Sequence, residues 1–134
     1  MKTKKFGRTL LTIAALLGIG LIFIGGRFLI APEAGEHGFG LNFAENGDYS
    51  FHRIKGVRDL FSGLLILVFA LLGRRAELAI TLGLGSIIPF ADFLVLLNAP
   101  NSNLANLWIH ASAMILGLIL AGFLIVSGKE AEGV

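Results

Sequence analysis

The chain has 134 residues, 55% hydrophobic and only 15% charged, with a mean hydropathy of +0.82. A water-soluble globule of this length would need far more polar surface, so that class is excluded. The chain has no cysteine, which rules out disulfides, thiol redox relays, iron–sulfur clusters and thiolate zinc sites. Its net charge of +2 comes from basic residues flanking apolar runs, which argues for orientation in a membrane and against nucleic acid as a partner.

Four apolar runs, 9–30, 54–73, 78–97 and 107–127, are each about 20 residues long, the length of helix that crosses a hydrocarbon core of roughly 30 Å. The expected architecture is one all-α membrane domain over 1–134, a four-transmembrane-helix antiparallel bundle. The basic head Met1-Lys2-Thr3-Lys4-Lys5-Phe6-Gly7-Arg8 is what a secretory signal would show. The run continues past Gly25-Gly26 to Ile30 with no small-residue cleavage pattern, so a retained first helix is expected.

Positive charge sets topology. Lys2, Lys4, Lys5 and Arg8 lie in the head, Arg74 and Arg75 in the second connection, and Lys129 in the tail. Glu33, Glu36, Glu45 and Asp48 lie in the first connection, and 98–106 carries no charge. Both termini and the arginine hairpin are thus expected in the cytoplasm of a plasma-membrane protein, with the 31–53 and 98–106 connections outside.

The 31–53 connection reads as a long loop without regular structure, carrying Phe39, Phe43, Tyr49 and Phe51 as an interfacial belt, as a lid, or as both. Pro32 ends the first helix, and Asp48 or Ser50 is the candidate N-cap of the second. Gly56, Gly63 and Ala70 recur every seven residues, and Ala113, Gly117 and Ala121 every four, marking faces where helix backbones approach. Pro89 is expected to kink the third span and to strip the Gly85 carbonyl of its donor.

The ionisable residues inside the spans converge at one depth. Asp59 lies about 7–8 Å below the end of its helix, at 1.5 Å per residue. Asp92, His110 and Arg27 fall at similar depths on the other three. Lys55, Arg58, Asp59 and Ser62 follow the i, i+3, i+4, i+7 spacing of one helical stripe. Charged groups in hydrocarbon cost roughly 2.5–3.5 kcal/mol each on insertion scales, so such a cluster needs partners or a purpose.

Arg27, Lys55 and Arg58 against Asp59 and Asp92 leave one cation unmatched, which favours an anionic or strongly polar ligand. Two readings follow. In one, Lys55–Asp59 and Arg58–Asp92 simply lock the bundle. In the other, Arg27, Lys55 and Arg58 bind a small amphiphile or lipid headgroup in an outward-facing pocket. A catalytic variant of the second makes Asp92 and Asp59 acid and base, His110 a proton carrier and Arg58 an anion stabiliser, acting on a lipophilic substrate. A transport or accessory role would need an oligomer or a membrane-complex partner, because the other half of every span is apolar. Haem b would need a second in-span histidine beside His110, and the spacing of His37, His52 and His110 is not that of a zinc site, so no cofactor or metal is expected.

The order Arg27-Phe28, Ala31-Pro32, Gly38-Phe39-Gly40, Lys55-Gly56-Val57-Arg58-Asp59, Gly73-Arg74-Arg75, Ile88-Pro89 with Asp92, and Trp108 with His110 resembles the small membrane-protein family known as domain of unknown function 4267. The resemblance runs from about Gly25 to Ile125, and the Lys-Gly-x-Arg-Asp run is its most specific part. It implies a four-span fold and a shared site at the charged positions, and it transfers no established activity. A more distant likeness to DoxX-type four-helix proteins is one of fold only.

Overall fold

The computed structural model describes residues 2–41, 48–100 and 102–132, with side chains described from residue 5 to residue 128. The helices are α1 (Lys2–Ile30), α2 (Pro32–Phe39), α3 (Ser50–Leu71), α4 (Arg75–Gly85), α5 (Ile87–Asn98) and α6 (Leu107–Glu132), with a 3-10 turn at Leu104–Asn106. No strand occurs among the described residues. Three stretches are long and apolar enough to cross a membrane: Lys5–Ile30, Arg75–Asn98 and Leu104–Gly128. α3 is of similar length, but every 18-residue stretch of it contains Lys55, Arg58 and Asp59.

The outer surface is apolar. Leu16, Phe23, Phe61, Leu71, Leu84 and Trp108 are each 63–74% exposed. Large side chains turned outward on every helix face suit hydrocarbon as the surrounding medium and would be a liability in water.

α1 pairs with α3, and α4–α5 pairs with α6. The first pair interlocks through glycines seven residues apart on both helices. A Cβ at Gly18 would lie 2.8 Å from the Gly63 carbonyl oxygen, and one at Gly25 would lie 2.7 Å from that of Gly56. Only hydrogen side chains permit backbones this close, and in a membrane such approach supplies the dispersion contact that drives helix association. The second pair closes where Gly117 faces Ser86 and Leu82 of the neighbouring chain segment.

The two pairs meet at the end that holds the Arg74–Arg75 turn. There Leu10, Ala14, Leu78, Leu120 and Leu124 form a closed apolar core, Phe6 meets Phe123 edge-on, and Arg75 donates to the Ser127 carbonyl at 3.0 Å. The first turns of α1 and the last turns of α6 therefore lie beside this hairpin. At the opposite end a second cluster joins Phe28, Phe39, Leu41 and Leu96.

Two expectations are corrected here. The 31–53 connection is not a loop throughout: 32–39 is helix, and α3 starts at Ser50. Pro32 does not only stop α1; it opens α2, where its fixed φ suits the first turn and its missing N–H is no loss. Gly40 ends α2 with a φ of 101°, a conformation that glycine adopts without a Cβ clash. Asp48 accepts from the Ser50 amide at 2.9 Å, whereas Phe43 and Glu45 lie outside the described residues. The third run is likewise two helices, α4 and α5, separated at Ser86, three residues before Pro89. The proline deprives this turn of a donor, and the break falls where its ring meets the preceding turn.

The 3-10 turn fixes α2 in place. Asn103 N–H donates to the Gly40 carbonyl at 2.8 Å, and the Asn106 amide donates to the carbonyls of His37 and Gly38. The last carbonyls of α2 thus gain donors that their own helix cannot supply.

Candidate functional site

Lys55 and Asp59 are four residues apart on α3, so their side chains lie one turn apart on the same face. Lys55 Nζ donates to Asp59 Oδ2 at 2.6 Å, and both residues are buried, 6% and 4% exposed. Asp92 reaches across from α5. It accepts from Arg58 at 3.0 and 3.3 Å through both terminal nitrogens and from Lys55 at 3.4 Å. Arg58 Nε closes the ring on Asp59 Oδ1 at 3.1 Å. Each carboxylate thus meets both cations, and the four charges cancel.

This closure is what makes burial tolerable. An ion removed from water costs several kcal/mol unless its partner geometry is good and its remaining hydrogen-bond capacity is filled. The forked guanidinium on Asp92 supplies the strong two-point form. Beneath it, Lys55 Nζ lies 5.0 Å from the Phe28 ring centroid and 4.9 Å from that of Phe39, so aromatic faces cover the ammonium on its remaining side. α5 packs on α6, so the ion pairs of Asp92 with Arg58 and Lys55 tie the two helix pairs together at this end.

The remaining sequence candidates take other places. His110 Nε2 donates to the Phe39 carbonyl at 3.1 Å and its ring lies tilted against the Phe39 ring at 4.5 Å, so it touches the platform under Lys55 and not the carboxylates. Arg27 donates to the Ala34 carbonyl at 2.9 Å and is exposed, apart from the four-charge ring. Arg27 is the cation left over in the charge count.

A cavity of about 1030 Å³ opens between the helix pairs. Lys55, Asp59, Asp92 and His110 line its wall together with Arg27, and aliphatic side chains such as Leu17, Leu21 and Leu116 line most of the rest. The Cβ position of Gly20, on the same wall, faces nothing within 4 Å.

Sequence reasoning missed the platform and a second polar centre. His52 Nε2 donates to Glu36 Oε2 at 3.0 Å, both residues being buried, 1% and 6% exposed. The rings of Phe28, Tyr49 and Phe51 surround His52 at 5.3–6.1 Å, and Tyr49 donates to Glu33 at 3.0 Å. A signal did exist: His52, Lys55, Gly56 and Asp59 share one helical stripe once α3 is extended back to Ser50, and Pro32 with Gly40 brackets a short helix carrying Glu36. Among the described residues no three His, Asp or Glu side chains gather as a metal site.

Three helical stretches long and apolar enough to cross a membrane fit the class of helical membrane proteins. Residues 18–124 match the family described as domain of unknown function (DUF4267), and the chain belongs to that family. No curated protein and no solved structure matches it.

Proposed function

We propose that the protein is a four-span membrane protein that holds a small membrane-borne amphiphile in the cavity between its helix pairs. The observation that carries this reading is a neutralised polar ring at the wall of a cavity lined for the most part by apolar side chains. Ligand sites take this form, with apolar walls and a few converging polar groups, at volumes of about 300–1,000 Å³. α3 is the fourth span: pairing inside the ring offsets the penalty that its three ionised residues would otherwise carry. The basic head, Arg74, Arg75 and Lys129 fall at the end where the chain termini meet, which supports a cytoplasmic assignment for that end and an outward-facing cavity in the plasma membrane. Binding is favoured over acid–base catalysis because Asp59 and Asp92 each balance Lys55 and Arg58, so a proton taken up by either would leave a cation of the ring unmatched.

The test is native mass spectrometry of the protein released from mild detergent, beside Gly20→Leu. The wild-type protein should carry a lipid-sized adduct that Gly20→Leu loses without a change in thermal stability. A bare wild-type mass under several lipid compositions would sink the reading.

A further inference from the structure

The hydrogen-bond roles of the cavity wall are one-sided. A hydroxyl has one proton to donate and two lone pairs to accept. Four hydroxyls line the cavity, and each has its proton committed to a carbonyl of its own helix: Ser62 to Arg58, Thr81 to Glu77, Ser86 to Leu82 and Ser112 to Ile109. What they can still offer is lone pairs. Asp59 and Asp92 are acceptors throughout, and Asp59 receives one donor on each oxygen, which leaves capacity on both. His110 donates through Nε2 to the Phe39 carbonyl, so that nitrogen is already committed.

Charged donors on the same wall are few: Lys55 and, exposed, Arg27. Lys55 Nζ is divided between two carboxylates and lies over two aromatic faces. Arg27, at the last turn of α1, already donates to Ala34. Lys55 and Arg58 already match Asp59 and Asp92, and the surplus cation, Arg27, lies apart from that ring and is exposed.

Resting on the amphiphile-binding reading, we infer that the ligand's head group is an uncharged hydrogen-bond donor: the cavity is a site for a lipophilic alcohol or phenol and not for a lipid anion. A hydroxyl proton would find an acceptor at Ser62 or on the free lone pairs of Asp59, one turn away on the same face of α3. An anionic head would meet two carboxylates whose cations are already matched. A cationic head would add a charge that nothing in the wall balances.

The experiment uses four probes with one tail and different heads: dodecanol, dodecyl methyl ether, dodecanoate and dodecylamine. Each is offered at equal concentration to the intact protein in mild detergent, and occupancy is read by native mass spectrometry. Dodecanol should occupy the protein about tenfold more than the methyl ether, the ratio expected for a hydrogen bond to a charged or strongly polar acceptor. Ser62→Ala should narrow that ratio severalfold and leave ether binding as it was. Equal binding of ether and alcohol, or preference for dodecanoate or dodecylamine, overturns the donor-head inference while amphiphile binding stands. If no probe binds wild-type protein, both fall; if all bind Gly20→Leu as well as wild type, the cavity is not their site and the inference falls with it.

Discussion

At the hairpin end, Leu10, Ala14, Leu78 and Leu124 are at most 4% exposed, and the helix pairs close on each other through aliphatic side chains. At the α2 end the same helices part around four ionised groups and a cavity. Lipid tails are as apolar as leucine, so side-chain packing at the first end gains only dispersion contact. The second end is held by charges whose attraction grows as the surrounding dielectric falls. The contrast teaches that closure and separation of the helix pairs are set by different forces, and each can be attacked alone.

The sharpest break should come from Asp59→Ala, which leaves Lys55 buried with only a 3.4 Å contact to Asp92. Unpairing a buried ion costs about 3–5 kcal/mol. The double change Lys55→Met with Asp59→Leu, which keeps the Arg58–Asp92 fork, should recover most of that loss. Equilibrium unfolding in mixed detergent micelles measures both, and additive effects would mean that the pair is not coupled.

A smaller effect separates two glycines of α1. A Cβ at Gly25 would lie 2.6 Å from the Leu60 amide nitrogen, so Gly25→Leu should force α1 from α3 at a cost of about 1–3 kcal/mol or more. Gly20→Leu, facing open space, should change stability by less than about 0.5 kcal/mol. Equal losses in the two variants would show that the cavity wall is as closely packed as the α1–α3 seam.

Gly40→Ala probes the end of α2. Gly40 has a φ of 101°, and a Cβ there would lie 2.8 Å from that of Asn106. The left-handed backbone alone costs a non-glycine residue roughly 1–2 kcal/mol. Hydrogen exchange should accelerate across α2 and leave the α1–α3 seam protected.

The smallest effect concerns pH at the start of α3. Hydrogen bonds from the Ser50 side chain and backbone hold the Asp48 carboxyl below its ordinary value of 3.8. A carboxylate depressed in this way contributes stability above its unfolded value and loses that contribution as the pH falls through the folded one. Exchange of the first α3 amides should therefore rise only below pH 3.8, and Asp48→Asn should abolish the step.

Hydropathy alone located the apolar runs, because a span of about 20 residues is a strong signal. The Lys55–Asp59 contact was legible for a similar reason: four residues on a helix is a fixed distance. Arg58–Asp92 could be guessed only from matching depth. The α1 side of the glycine seam was hidden because Gly18, Gly20, Gly25 and Gly26 look alike, and only tertiary contact shows that Gly18 and Gly25 face α3. α2 was misread since its eight residues are polar and glycine-rich, as loops are. Glu36 and His52 are 16 residues apart across residues of different elements, and no local periodicity links them.

The distribution of the four charges along the chain also bears on how the molecule assembles during synthesis. Lys55, Arg58 and Asp59 leave the apolar stretch of α3 with one surplus positive charge, and Asp92 gives α5 one surplus negative charge. α3 is translated first, with Lys55 already neutralised by Asp59 inside its own turn. The charge of Arg58 is matched in full only by Asp92 of α5, which is made later. The ion pair that bridges the helix pairs thus joins a surplus positive charge in the first half of the chain to a surplus negative one in the second.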